Sequence, residues 1–220
     1  MVEAGEIAEL RDQCESVEQI IGRLPENATV LDVGCFGWRL AELASAKRVQ
    51  LVGADLIEPP GRPRGVGYVS IEDNQISMPN SQCALVVASH VLEHVIDPTR
   101  FMRELVRVAK LGGLIFVEAP SELACITHSS SDPSDHRFTN FWDDPTHIRP
   151  WTPGAMYRLA LSCQALPVSI QRADASGIPV VRMVAQKPPW VAGSGQHRYV
   201  SLRGVEPGVQ NAWEVVWGDL

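Results

Sequence analysis

Residues 132–151 hold the densest set of groups in this chain that can move a proton or grip a polar ligand. Asp135, His136, Asp143, Asp144 and His147 are titratable, Arg137 and Arg149 are cationic, and Phe138, Phe141, Trp142 and Trp151 are aromatic. A hydroxyl is too weak an acid to ionise unaided near neutral pH, and a positioned imidazole can take its proton. Rings beside carboxylates and arginines suit a hydroxylated ligand, because rings cover apolar faces while charged groups bond hydroxyls. We therefore expect His147 to be the base, with His136 and His90 as alternatives. Asp144, Arg149 and Trp142 are the expected substrate contacts. The competing reading of Asp144-Pro145-Thr146-His147 is a plain turn in which the aspartate bonds its own backbone. Magnesium held by Asp135, Asp143, Asp144 and the histidines is a further option, but loop carboxylates are usually just solvated. No residue is assigned to a metal.

A second constellation lies near the N-terminus. The apolar run Val30-Leu31-Asp32-Val33 enters Gly34-Cys35-Phe36-Gly37-Trp38, and a second run, Val49 to Ala54, ends on Asp55, twenty-three residues after Asp32. A strand running into a glycine turn, with a carboxylate closing the next strand, is the pattern of a nucleotide-type cofactor seated on a parallel sheet. Asp55 is placed to accept hydrogen bonds from ribose hydroxyls. Phe36 and Trp38 occupy positions where such loops usually hold glycine. A dinucleotide needs close approach of its pyrophosphate to a helix N-terminus, and this loop offers no such seat.

The elements that must position these groups alternate along the chain. Apolar residues spaced three and four apart predict a helix over 6–23, stopped by Pro25. Strands follow at 29–33, 49–54, 68–71, 83–88 and 114–117, with helices over 38–46 and 98–109. Strands alternating with helices imply a parallel sheet with right-handed crossovers. Residues 121–151 are too long and polar for an ordinary connection, and they follow a strand end, so they are expected to lid the ligand crevice. Thr152-Pro153 opens another helix, to about Ala165. The runs 166–171 and 179–186 flank Gly177 and suit a hairpin.

Together, Asp32-Val-Gly34-Cys-Phe-Gly37, Asp55, Ser89-His-Val-Leu-Glu-His94-Val-x-Asp97-Pro98 and Glu104-Leu-x-Arg107-Val-x-Lys-x-Gly112-Gly113 resemble the class I S-adenosylmethionine-dependent methyltransferases. The resemblance covers about residues 28–187 and is to the broad group with Leu-Glu-His-Val after the fourth strand. It implies an α/β, Rossmann-like seven-stranded sheet, mostly parallel with an antiparallel last strand and helices on both faces. It also implies S-adenosylmethionine as cofactor and S-adenosylhomocysteine as product. Carried over, Gly34 and the Cys35 backbone approach the methionine portion, with Phe36 beside them as an expected wall of the pocket. Asp32 organises the loop, Asp55 holds the ribose, Glu72 and Asp73 contact adenine, and Ser89 and His90 lie beneath the methyl group. Glu93 and His94 read mainly as bridges between neighbouring loops. Cys83-Ala84 stands where the family often has an aromatic–aspartate pair. The stretch Asn140 to Pro153 further resembles methyltransferases of bacterial sugar and polysaccharide modification, implying O-methylation of a sugar, glycan end or related hydroxylated metabolite. N- or C-methylation of a small metabolite, or a non-catalytic binding domain, are the rival readings.

Composition bounds the rest. The 220 residues suit one domain of ordinary size, 1–187, with 121–151 as a substrate lid and 188–220 as an appendage packed on the domain or on a neighbouring subunit of a homodimer. A formal net charge of −7 argues against general affinity for nucleic acid or anionic membrane. The five scattered cysteines lack Cys-x-x-Cys spacing and suit a reduced, cytoplasmic setting.

Overall fold

The computed structural model describes residues 14–127 and 140–189. His136, Asp135, Arg137 and Phe138 fall outside these residues, as do most of the expected appendage and residues 6–13 of the first expected helix. Eight strands form one sheet in the order β4-β3-β2-β1-β5-β6-β8-β7. They are β1 (Thr29–Val33), β2 (Gln50–Asp55), β3 (Gly67–Glu72), β4 (Gln75–Ile76), β5 (Cys83–Ser89), β6 (Ala109–Pro120), β7 (Leu166–Ala175) and β8 (Ile178–Gln186). Four helices are α1 (Val17–Arg23), α2 (Ala41–Ala46), α3 (Pro98–Val108) and α4 (Pro153–Ser162). β1 pairs in parallel with β2 and β5, β2 with β3 and β5 with β6, while β8 runs antiparallel between β6 and β7. This is the doubly wound arrangement expected, with its crevice over the carboxyl ends of the parallel strands.

Each face of the sheet buries its own apolar layer, which explains why β1 and β5 read as continuous hydrophobic runs. Phe101, Met102 and Leu105 of α3 and Met156 and Leu159 of α4 cover one face. Ile20 and Ile21 of α1 and Leu40 and Ala44 near α2 cover the other. The starts of α3 and α4 follow the cap chemistry read in the sequence. Asp97 accepts from the Arg100 amide and Thr152 from the Ala155 amide, each followed by a proline at the first helical position. Arg107 explains the Glu104-x-x-Arg107 spacing. Its guanidinium donates to Glu104 and to the Ile76 and Met78 carbonyls, clasping β4 and the following loop to α3.

Several boundaries differ from expectation, each for a local reason. Gly37 and Trp38 have φ of 74° and 52°, so the helix expected from residue 38 cannot begin there. A 3₁₀ turn at Phe36–Trp38 precedes α2 instead. The sheet has an eighth strand because Asp73 and Asn74, both left-handed, make a tight turn that folds Gln75–Ile76 back on β3. Two paired residues carry no periodic signal. α1 begins at Val17 because Ser16 caps it in a reciprocal capping box with Gln19. Among the described residues no helix is long and apolar enough to cross a membrane.

Candidate functional site

The glycine loop leaves β1 at Gly34, whose φ of 74° favours glycine and whose amide donates to the Ala54 carbonyl at 2.8 Å. A Cβ at Gly34 would lie 2.4 Å from Val91 Cγ2, so the loop is pressed against the segment following β5. Cys35 points into the core, where burial and then Asp32 push its thiol up to about 12. Trp38 is also buried. Its indole N–H donates to the Pro60 carbonyl at 3.2 Å, and its ring with the Cys35 sulfur fills the space that a side chain at Gly53 would need. Phe36, in contrast, is 77% exposed. Of the two bulky loop residues, one is core and the other stands free on the loop.

Asp32 and Asp55 end up on adjacent strands. Asp32 is buried, and desolvation pushes its carboxyl up to about 6, with Asp55 adding to the rise and Arg39 opposing it. One Asp55 oxygen accepts the Leu56 amide at 2.7 Å. Glu72 closes β3, exposed, and accepts from the Ser70 hydroxyl, while Asp73 is the first residue of the hairpin turn.

Past β5 the chain enters a pocket of ≈ 200 Å³ lined by His90, Glu93, His94, Phe141, Asp144 and His147 among others. His90 has a left-handed backbone, φ 55°, and its amide donates to the Glu118 carbonyl. Its ring lies between two carboxylates, with Nδ1 3.4 Å from Glu93 Oε1 and Nε2 3.6 Å from Glu118 Oε1. The Ser89 hydroxyl donates to Glu118 at 3.1 Å, and Arg182 of β8 donates to the other Glu118 oxygen through Nε at 2.8 Å. Glu118 and Arg182 are cross-strand partners.

Glu93 is fully buried on a 3₁₀ turn, Leu92–His94, and neither of its carboxylate oxygens has a hydrogen-bond partner among the described residues. Its backbone carbonyl receives the Ile148 amide at 2.8 Å, which ties the turn to the insert. Besides His90, the imidazoles of His94 and His147 face this carboxylate, and their Nδ1 atoms are engaged by neighbours. His147 Nδ1 lies 2.6 Å from the Phe141 carbonyl, which can only accept, so Nδ1 carries a proton and Nε2 is the nitrogen left to the pocket. The Thr146 hydroxyl spends its proton on Asp144 Oδ1 at 2.6 Å, so His94 Nδ1, 2.9 Å from that hydroxyl, must donate to it. His94 Nε2 is then also free. The Thr146 hydroxyl and amide hold Asp144 below the usual carboxylate range.

Phe141 is buried and stacks on His147 with ring centroids 4.5 Å apart. Trp142 next to it is exposed, and the Arg149 guanidinium donates to the Ile96 carbonyl. The pocket thus gathers His90 and His147 with Asp144. Asp32, Asp55, Glu72 and Asp73 line the other strand ends. Sequence reasoning overlooked Glu118 and Arg182 altogether, and it read Glu93 as a bridge. A charged residue inside each of two apolar runs that were expected to lie in one sheet was the available signal for the first pair.

Comparison with known proteins agrees with this geometry. A family model described as a methyltransferase domain matches residues 6–162, well over half of the chain. The chain is 35% identical over 98 residues to a ubiquinone biosynthesis O-methyltransferase of Chromobacterium violaceum, covering 40% of this chain and 42% of that one. It is 30% identical over 124 residues to a Rhizobium etli protein of the same description, covering 49% and 48%. The matched stretch therefore spans less than half the length of these curated relatives. Among solved structures, a SAM-dependent methyltransferase of Methanosarcina mazei superposes with a TM-score of 0.59 at 15% identity, covering 77% of this chain and 96% of that one. The Burkholderia thailandensis 1,6-didemethyltoxoflavin-N1-methyltransferase, solved with S-adenosylhomocysteine, superposes with a TM-score of 0.57 at 17% identity, covering 74% and 72%. Fold, glycine loop and family model agree: this chain belongs to the methyltransferase-domain family, with the class I S-adenosylmethionine-dependent architecture.

Proposed function

We propose that the protein methylates the oxygen of a small hydroxylated acceptor, using S-adenosylmethionine bound over the Gly34 loop. The residues present fit that donor. Gly34 turns the chain at the end of β1 without a side chain of its own, and buried Asp32 with Asp55 on the next strand is a pair of carboxylates that a cationic, ribose-bearing ligand would relieve. Asp55 has one oxygen engaged by its own turn and one left for a ribose hydroxyl. When bound, the donor supplies an electrophilic methyl group on a sulfonium. Everything else falls to this chain's side chains, which must align the acceptor oxygen and take its proton.

The observation that carries the reading is the His147 lone pair. Nε2 faces the pocket beside buried Glu93, while Nδ1 is locked to the Phe141 carbonyl. An acceptor hydroxyl donating to Nε2 would lose its proton there as the oxygen attacks the methyl carbon. His90 has both of its ring nitrogens facing carboxylates, which leaves neither nitrogen turned to the acceptor. It would instead fix the strand end beneath the acceptor.

The acceptor's class follows from what the wall leaves free. Asp144 has one oxygen held by Thr146 and Arg149 has one nitrogen held by the Ile96 carbonyl, which reduces what either offers to sugar hydroxyls. Phe141, Pro120, Ala124 and Ile178 give the lining an apolar surface. A flat, hydroxylated ring such as a phenol fits this wall better than a sugar, and the two curated relatives carry the description O-methyltransferase. Calorimetry with S-adenosylhomocysteine and transfer of labelled methyl to phenolic and sugar acceptors test the reading together. His147→Ala is expected to lower turnover roughly a hundredfold with product affinity unchanged. Absence of binding at millimolar S-adenosylhomocysteine, or turnover that survives the substitution, would overturn it.

A further inference from the structure

A carboxylate stripped of water and two imidazole lone pairs should not converge on empty space. Glu93, His94 and His147 do so, with one donor atom of each within 4.8 Å of the others and His94 Nε2 4.0 Å from Glu93 Oε1. Glu93 is completely buried and neither of its oxygens accepts a hydrogen bond among the described residues, so its charge calls for compensation by positive charge. Both histidines have Nδ1 engaged by an outer partner, His94 by Thr146 and His147 by the Phe141 carbonyl, which leaves Nε2 as the ligating nitrogen of each. Locking the far ring nitrogen through a hydroxyl or carbonyl is how proteins orient imidazoles toward a metal.

We propose that Glu93, His94 and His147 bind one divalent transition-metal ion, which takes the acceptor hydroxyl on an open coordination position. Two imidazoles and one carboxylate suit zinc, manganese, iron or cobalt, and they are a poor match for magnesium, which prefers an all-oxygen shell. Donor atoms around such an ion sit roughly 3.4 Å apart for bonds of about 2.1 Å. The set therefore closes by about an ångström, within reach of side-chain rotation by His94, which is only partly buried. Three protein ligands leave room for a substrate oxygen, the arrangement of a catalytic rather than a structural site. His90 and Asp144 flank the opening, with Asp144 Oδ2 3.8 Å from His147 Nε2.

The inference rests on the O-methylation reading for its consequence, and not for the binding itself. With the ion present the lone pair of His147 holds the metal, and the metal lowers the hydroxyl pKa so that its proton leaves to water. The oxygen then attacks the sulfonium methyl carbon, the carbon–sulfur bond breaks, and methyl ether, neutral thioether and one proton result. The alternative source of positive charge is a protonated His94 paired with Glu93 across 4.0 Å. That state needs no ion and binds none.

The tag-free full chain, stripped with a chelator and dialysed, is titrated with cobalt(II) by calorimetry and visible absorption. One ion per chain is expected, with the spectrum of nitrogen and oxygen ligands and displacement by zinc. The wild-type spectrum needs no variant to fold. Glu93→Gln keeps the volume and removes the charge, and it should weaken cobalt affinity at least tenfold, as should His94→Ala. Chelation should abolish methyl transfer, and zinc or manganese should restore it. No saturable uptake, uptake unchanged in both variants, or a sulfur-to-cobalt charge-transfer band would each overturn the site. Binding of S-adenosylhomocysteine is followed separately. Product binding and transfer without ion uptake refute the metal alone, whereas ion uptake without product binding refutes the methyltransferase reading and leaves the metal.

Discussion

Substituting alanine for Gly34 asks how tightly the cofactor loop is pressed onto the turn that leads to the acceptor pocket. The cost has two separable parts. An L-residue at φ 74° costs about 1–2 kcal/mol. The new Cβ would also meet Val91 Cγ2 at 2.4 Å, over an ångström closer than an ordinary carbon contact of about 3.5–4.0 Å. Overpacking of this kind typically costs about 1–3 kcal/mol. Gly34→Ala is therefore expected to destabilise the fold by about 2–5 kcal/mol, lowering Tm by roughly 4–20 °C for a domain of this size. The second-nearest atom is Val91 Cβ at 3.8 Å, a normal contact, so Val91→Ala removes the clash without touching the backbone strain. The double variant should then be less destabilised than the sum of its parts by about 1–3 kcal/mol. Urea and thermal unfolding of the wild type, both single variants and the double variant measure that coupling. Strict additivity would refute the idea that Val91 is what the loop leans on.

Two further outcomes follow. Asp32, with its carboxyl raised to about 6, opposes folding in its ionised form: its contribution is harmless below about pH 4 and becomes unfavourable as pH rises through about 6. Asp32→Asn should thus stabilise the ligand-free protein at pH 7 by about 3 kcal/mol, the gain vanishing by pH 4 in denaturant titrations; a pH-independent difference would count against it. Arg182→Ala strands buried Glu118 and should cost about 3–5 kcal/mol, most of it recovered when Glu118→Leu is added; a double variant no more stable than the single would disprove the pairing.

Periodicity and punctuation carried most of the sheet. β1, β5 and the core of β6 are legible because a strand buried on both faces is a short continuous apolar run, and Asp97-Pro98 and Thr152-Pro153 announce their helices. Boundaries slipped where backbone conformation, not side-chain pattern, decides. Trp38 is a bulky residue in a left-handed conformation, held there by its indole hydrogen bond and by the gap that Gly53 leaves for it. No rule about bulk at a glycine position foretells that its ring turns into the core while Phe36 stays exposed. The site was half legible for a similar reason. His147 and Asp144 stood out by density, but the lone pair that makes His147 useful depends on a carbonyl six residues earlier. Glu93 read as a bridge between loops, yet it faces His90 and His94 and neither of its oxygens accepts a hydrogen bond among the described residues.

That spare carboxylate bears on how the two halves of the crevice divide their work. On the β1–β2 side, Asp32 and Asp55 carry negative charge at strand ends with little inside the protein to match it. On the β5–β6 side, Glu118 is matched by Arg182 and Ser89, whereas Glu93 faces only imidazoles and accepts no hydrogen bond among the described residues. Both unmatched sets call for positive charge from outside, but of different kinds. The first is open to a large organic cation because Gly34 presents only backbone. The second is a half-open pocket of ≈ 200 Å³ lined by His90, His94 and His147, and it admits a proton or a metal ion beside the tip of an acceptor. Val91 stands between them, touching the loop on one side and preceding the Glu93 turn on the other. A methyl group and the oxygen that receives it must meet within about 3–3.5 Å, so the register between these halves has to be rigid. The close fit of Gly34 on Val91 supplies that rigidity, which is why a single methyl group added there should be felt in both.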